Sequence, residues 1–199
     1  MKKVKHTYLE ESINVVDKNL DIHYKNQTFD LSKIYYYEFN GCLFENCTFT
    51  NEGVNLQFIH CKFIHCDICN ITMNKTRFYI SEMYECKLIG ATFNESIFDN
   101  MIINESNLKM SGFFYHKFKE VEIDKSILEE SFFESSSLIK FEISNSNLVK
   151  IDVNKTKFNI DLSSNNIESI KISIEDIKGA TISFDQSYDL IKLLGVKLK

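Results

Sequence analysis

The chain has 199 residues, 44% of them apolar, and its 23 basic against 28 acidic residues give a formal charge of −5. That length supports one sizeable core or two small ones, and the acidic balance excludes the even basic field of an ordinary nucleic-acid binder. Six Gly and no Pro exclude a Gly/Pro-rich disordered tail and a Gly-punctuated sandwich alike, so something else must turn the chain.

Residues 1–28 open with the charged stretch MKKVKHTYLEESINV. It carries no apolar run of signal-peptide length, and no later run approaches the roughly 18 apolar residues of a membrane span. A soluble, cytoplasmic protein is expected, with this segment leading into the first structural unit. A step of five then begins with Phe39, Phe44, Phe49 and Val54. It resumes at Phe58, Phe63, Ile68, Met73 and Phe78 and continues to Phe158, all 21 positions being apolar. Composition alone would produce this about three times in 10⁸. Leu162, Ile167, Ile172, Ile177 and Ile182 keep the same step. The junctions Val54 to Phe58 and Phe158 to Leu162 are each one residue short.

A period of five fits neither standard element. Five residues of α-helix turn through about 500°, so no apolar stripe forms. In a continuous strand an odd step sends alternate large residues to opposite faces. The chain must bend once every five residues, each short extended piece forming one side of a coil with its large residue inward. Two residues earlier a second side chain points inward, and that place is usually small, as with Cys61, Cys66, Thr76, Ser81, Ser96, Ser126 and Ser136. Leu56, Ile71, Met101, His116, Val121, Phe141 and Ile151 are exceptions and predict local widening.

Blocks such as Cys61-Lys62-Phe63-Ile64-His65, Ala91-Thr92-Phe93-Asn94-Glu95 and Ser106-Asn107-Leu108-Lys109-Met110 resemble the pentapeptide repeat, over roughly residues 35–182. The resemblance implies an all-β fold, a right-handed quadrilateral parallel β-helix in which four pentapeptides make one square turn. Residues 29–183 form it, in 7 to 8 coils about 36 Å long at about 4.8 Å per coil.

Residues 184–199 read as a cap and dimerisation segment. Ser183 followed by Gln186 forms a capping box for a short C-terminal helix from Phe184 to Leu194, with Gly195 as its left-handed stop. Val196-Lys197-Leu198 alternates like a terminal strand. Phe184, Tyr188, Leu190, Ile191, Leu193, Leu194, Val196 and Leu198 are the expected dimer contacts, because this helix is apolar on more than one side. The stretch Gly179-Ala180-Thr181-Ile182-Ser183, with Gln186 and Leu190-Ile191-Lys192-Leu193-Leu194-Gly195-Val196, is similar to the carboxyl ends of Qnr-type quinolone-resistance proteins and their mycobacterial relatives. That resemblance implies a homodimer that binds DNA gyrase or topoisomerase IV and relieves fluoroquinolone poisoning. Phe44 to Val54 sits where some Qnr proteins carry a first protruding loop, but is short, and no second loop interrupts Phe58 to Phe158.

The run His60-Cys61-Lys62-Phe63-Ile64-His65-Cys66-Asp67-Ile68-Cys69 invites zinc. The repeat frame argues against it, since Cys61 and Cys66 point inward and His60 and His65 outward. Cys42 should lie under Cys61, and Cys47 under Cys66 and Cys86, all as reduced core fillers. His116 falls in the small inward position and is expected to be a hydrogen-bonded core histidine. No phosphate loop, nucleophile elbow or acid pair occurs, so neither an enzyme nor a cofactor is expected.

With four sides per coil, one side gathers Glu45, Glu82, Glu85, Glu105, Glu122, Asp124, Glu142 and Asp161 against Lys62 and Lys125 alone. Its neighbour, with Arg77, Lys117, Lys119, Lys140 and Lys157, is mixed to basic. Stacked carboxylates repel one another even in salt, so the acidic ladder suggests a partner that otherwise holds DNA, at one charge per ~1.7 Å of axis. The expected function is therefore DNA mimicry toward a type II topoisomerase, without direct nucleic-acid or membrane binding. The alternative is a structural or scaffolding repeat protein with an unrelated partner.

Overall fold

The computed structural model describes residues 9–10 and 18–193. They form a solenoid of parallel strands, paired coil to coil. Phe58 pairs with Phe78, Phe78 with Phe98, Phe98 with Phe118 and Phe118 with Leu138, so these coils take twenty residues each. The two short junctions are coils of nineteen. Phe39 pairs with Phe58 and Phe44 with Phe63 at the first, and Asp152 with Lys171 at the second. One residue is dropped and the inward stacking is kept.

The coil has four sides, named here by their inward residues: side 1 (Phe78, Phe98, Phe118), side 2 (Met83, Ile103, Ile123), side 3 (Leu88, Leu108, Leu128) and side 4 (Phe93, Phe113, Phe133). The strands Arg77–Tyr84, Ile97–Asn104, Lys117–Asp124 and Ser137–Ser144 run along sides 1 and 2 without interruption, within an 11-stranded sheet. Side 4 carries a seven-stranded sheet. Side 3 is joined by single bridges such as Asp67↔Lys87 and Asn107↔Ile127. There the outward Asp or Asn closes a turn on its own chain, as in Asn107 Oδ1 accepting the Lys109 amide at 3.0 Å. The ladders reach back to Lys18–Leu20 and Ile22–Lys25, which pair with Glu38–Asn40 and Leu43–Glu45.

The turning device is a left-handed residue at each corner. Every fifth position from His60 (φ 52°) to Lys155 (φ 50°) has positive φ, and only Gly90 among them is glycine. A non-glycine residue there costs roughly 1–2 kcal/mol, a strain the continuous ladders offset.

Inside, all the large residues of the uninterrupted series are buried except Leu138, which is half-exposed. Phe141 occupies the small position of that coil, packs on Phe118 and Phe133 (5.1 and 6.4 Å between ring centroids) and displaces its neighbour. The small inward residues form a second ladder. Ser96 Oγ accepts the Thr76 amide of the preceding coil at 3.0 Å and donates to the carbonyls of Met73 and Asn94 at 3.1 Å. Ser106, Ser126, Ser136, Ser146 and Thr156 likewise accept an amide from the coil before. Each such bond is worth about 1 kcal/mol and satisfies a buried amide. Cysteines stand in for serine, with Cys61 Sγ donating to Phe39 O at 3.3 Å and Cys66 Sγ to Phe44 O at 3.3 Å. Cys42 touches Cys61, and Cys66 touches both Cys47 and Cys86. The Cys47 thiol is pushed up by its bond to Cys66 and then by burial.

The end of the solenoid departs from the pure repeat. Ile172 is inward, but Ile174–Ile177 forms a helical turn, α1, capped by Ser173, whose Oγ accepts the Asp176 amide at 3.0 Å. Thus two short helices, not one, close the described chain, the second being Ser187–Leu193, α2. No described helix is long and apolar enough to cross a membrane.

Candidate interaction surface

Because residues one coil apart stack in register, charges on the exterior meet axially. Lys75 and Glu95 (3.8 Å), Lys109 and Glu129 (2.9 Å), Lys140 and Glu120 (2.7 Å), and Lys150 and Glu130 (3.4 Å) all pair this way. The same rule divides the acidic side in two. In its first coils the carboxylates are matched. Glu45 receives Lys25 at 2.8 Å and His23 at 2.9 Å, and the Lys25 bond chiefly holds its carboxyl below the usual range. Glu85 lies 3.2 Å from His65, and Glu105 lies 3.8 Å from Lys125.

Glu82 corrects the expectation of a solvent-facing ladder. It is only 4% exposed and pairs with Lys62 at 3.4 Å. Register places it between Lys62 and Ile102, with Lys62 also lying 4.5 Å over the Tyr84 ring. Glu82 is therefore a packed, paired group and presents no open charge.

In the last coils the carboxylates are open. Glu122 and Glu142 are in register, one coil apart. Among the described residues, neither they nor Asp161 has a cation within ion-pair distance. Asp124 accepts Asn145 Nδ2 at 2.7 Å and Ser144 Oγ at 2.8 Å, and Asn145 chiefly holds its pKa down. Asp161 is held down by Ser163. A groove of ≈ 390 Å³ runs between Glu122, Phe141, Glu142, Asp161 and Ser164.

Side 1 is not the open basic face its sequence suggests. Arg77 and Lys119 both bind the buried Asp99, at 3.3 and 3.2 Å, Lys140 is held by Glu120, and Lys157 lies 3.7 Å from Asp176. Lys117 is exposed. The total charge of a side does not show these pairs; a basic and an acidic residue 19 to 22 apart, one coil along the axis, is the signal that finds them.

His116 corrects a second expectation. It is buried, but neither ring nitrogen has a hydrogen-bond partner. The imidazole stands among Phe118, Phe98, Phe113 and Phe93 (4.3, 4.5, 5.6 and 6.2 Å between centroids), and burial drops its pKa to about 3. In the zinc-like run, Cys61 and Cys66 are buried in the core while His60 and His65 stand at exposed corners.

In the tail, Gln186 forms one arm of the expected capping box, its Oε1 accepting the Ser183 amide at 2.8 Å. Its Nε2 donates instead to Leu162 O (2.8 Å) and Asn165 O (2.6 Å), which ties the tail to the last coil. The helix starts at Ser187 rather than Phe184, and Phe184 is left 91% exposed. Tyr188 is exposed, Leu190 and Leu193 pack partly on the core, and Ile191 borders an apolar pocket of ≈ 280 Å³ with Ile174, Ile177 and Ile182. The expected contacts Leu194, Val196 and Leu198 lie outside the described residues.

No known family profile matches the chain, and no curated protein does. Among solved structures, a trypsin-treated variant of QnrB1, a plasmid-mediated fluoroquinolone resistance protein, is similar with a TM-score of 0.60 at 17% identity, covering 98% of this chain and 100% of that one. Full-length QnrB1 aligns with a TM-score of 0.38 at 15% identity over 90% of this chain and 99% of its own. Rfr23 of the cyanobacterium Cyanothece 51142, a pentapeptide repeat protein, aligns with a TM-score of 0.37 at 10% identity over 61% of this chain and 64% of its own. With its five-residue period, four-sided coil and in-register stacks, the chain folds as a pentapeptide-repeat β-helix.

Proposed function

We propose that this protein binds a type II topoisomerase, DNA gyrase or topoisomerase IV, in place of DNA and protects it from fluoroquinolone-like poisons. The observation that carries this reading is the open carboxylate column of Glu122, Glu142 and Asp161 on side 2, beside which Asp124 is held by Asn145 and Ser144. Successive coils set these groups about 4.8 Å apart, sparser than duplex phosphates at ~1.7 Å of axis but of the same sign and straightness. A rigid rod bearing unpaired carboxylates attracts a basic DNA channel over long range and speeds encounter. The similarity in fold to QnrB1 supports the same direction. A homodimer through Phe184, Tyr188 and Ile191 completes the proposal, since these apolar groups stand at the solvent boundary of the tail.

The test is gyrase supercoiling with ciprofloxacin, with and without the purified protein. Restored supercoiling that is lost in Glu122→Gln/Glu142→Gln is expected. No effect of the wild type over a wide concentration range overturns the reading. The matched charges at Glu45, Glu82, Glu85 and Glu105 favour the second reading, a structural or scaffolding rod whose ion pairs serve only its own coils, and that outcome would select it.

A further inference from the structure

The apolar pocket at the last coil lies between two helices. Ile174 and Ile177 of α1 form one wall, and Leu190, Ile191 and Leu193 of α2 form the other, with Ile182 between them. Ile177, Ile182, Leu190 and Leu193 pack only partly on the core, and Ile174 is 55% exposed. Leu193 is both a wall of this pocket and the last described residue, so residues 194–199 start from its edge.

Those six residues have the chemistry of a helix ending that turns back on itself. With Leu193 as the last helical residue, Gly195 stands where a left-handed residue stops a helix, and Val196 follows it. In that motif the residue after the glycine packs on the third or fourth residue from the helix end, here Ile191 or Leu190, and both are pocket walls. An extended continuation carries Leu198 on the same face as Val196, about 7 Å further on, with Lys197 and Lys199 on the opposite face. The apolar face then meets the pocket and the charged face meets water.

The chain's other end does not reach this place. Leu9–Glu10 pairs with Ile22–His23 at the opposite end of the rod. The eight residues before Leu9 span at most about 29 Å, less than the rod's length of about 36 Å. A segment tethered at Leu193 is present at an effective concentration in the millimolar range, about a thousandfold above a second copy at micromolar concentration.

We propose that the pocket seats this chain's own carboxyl-terminal segment, with Val196 and Leu198 inserted between α1 and α2. These two residues, which sequence groups with the dimer contacts, then close the end of the rod within one chain. Phe184 and Tyr188 lie outside the pocket and stay exposed for a second copy. Capping of the solenoid thus precedes dimerisation and does not require it.

The experiment oxidises full-length Ile174→Cys/Leu198→Cys with diamide, beside wild type and each single variant as controls for the six native cysteines. Thermal melting first confirms that each is folded. A product of monomer size on a non-reducing gel, with positions 174 and 198 linked in peptide mass mapping, is expected. A product of dimer size would place a second copy in the pocket, and a yield no higher than in the single variants would leave the segment elsewhere; either overturns the proposal. Hydrogen exchange supplies an independent readout at the Asp189 and Leu190 amides, which donate to Gln186 O. Leu198→Asp should speed their exchange about tenfold or more, and Lys197→Asp, on the outer face, should not. Equal exchange in Leu198→Asp and wild type would also refute it.

Discussion

Acidification should unfold this protein through His116 earlier than its carboxylates alone dictate. The folded state holds the imidazole neutral, with a pKa of about 3 set by burial among four phenylalanines. The unfolded chain binds a proton at the ordinary value of about 6.5. Because the unfolded state takes up more protons as pH falls, stability is full above about 6.5 and is lost progressively down to about 3. One group with this shift removes about 2 kcal/mol by pH 5 and about 3 kcal/mol by pH 4, approaching about 5 kcal/mol below pH 3. With a urea slope of about 2 kcal/mol per molar, the pH 5 loss moves the midpoint by about 1 M. The assay is urea unfolding at pH 7.5, 6, 5 and 4 for wild type and His116→Phe, the difference between the two curves cancelling every other titrating group. Parallel curves would refute the reasoning, because they would mean that the imidazole finds a partner or carries its charge in the fold.

Three further outcomes follow from the same geometry. Phe98→Ala, which empties a site in contact with Phe78, Phe93 and Phe118, should lower stability by about 3–5 kcal/mol in denaturant titration. Ile80→Asn should raise the melting temperature by about 2–4 °C, since Ile80 is a β-branched residue held at φ 48° and relief of about 1 kcal/mol is expected. Phe184→Ser/Tyr188→Ser should sediment as a monomer, whereas Gln186→Ala should loosen the tail itself, because it removes the bonds from Nε2 to the Leu162 and Asn165 carbonyls.

The repeat was legible because burial imposes one large inward residue on every side, and a run of such constraints cannot hide in composition. The two missing residues were legible too, since a coil of nineteen still closes and keeps Phe39 over Phe58. The corners were not. Left-handed backbone at Lys75, Ile80 and Glu85 has no side-chain signature, although Asn, which tolerates that conformation, stands at corners 46, 51, 55, 70, 100 and 145. Leu138 and Phe141 were half-legible. The widening was expected, but which of two inward residues would yield depends on volume, and the ring of Phe141 prevailed. Helix α1 was missed because Ile172, Ile177 and Ile182 keep step with the repeat while Ser173 and Asp176 cap a helical turn inside it.

The acidic side shows why a charge count and a charge surface differ in a solenoid. Every exterior residue has a neighbour about 4.8 Å above and below, so a carboxylate is open only if both neighbours leave it so. Between two like charges at that spacing, water-screened repulsion is under about 1 kcal/mol, small enough to keep but steady enough for a lysine to displace wherever no partner requires the acid. Lysines or histidines do occupy that place beside Glu45, Glu82, Glu85 and Glu105. They are absent beside Glu122, Glu142 and Asp161, although the same chain places Lys140 and Lys150 one coil from Glu120 and Glu130. The uncompensated stretch therefore begins at one coil and runs on toward the end that carries helix α2. A two-fold contact at that end would set two such stretches end to end, doubling the length of negative surface that one basic channel could meet.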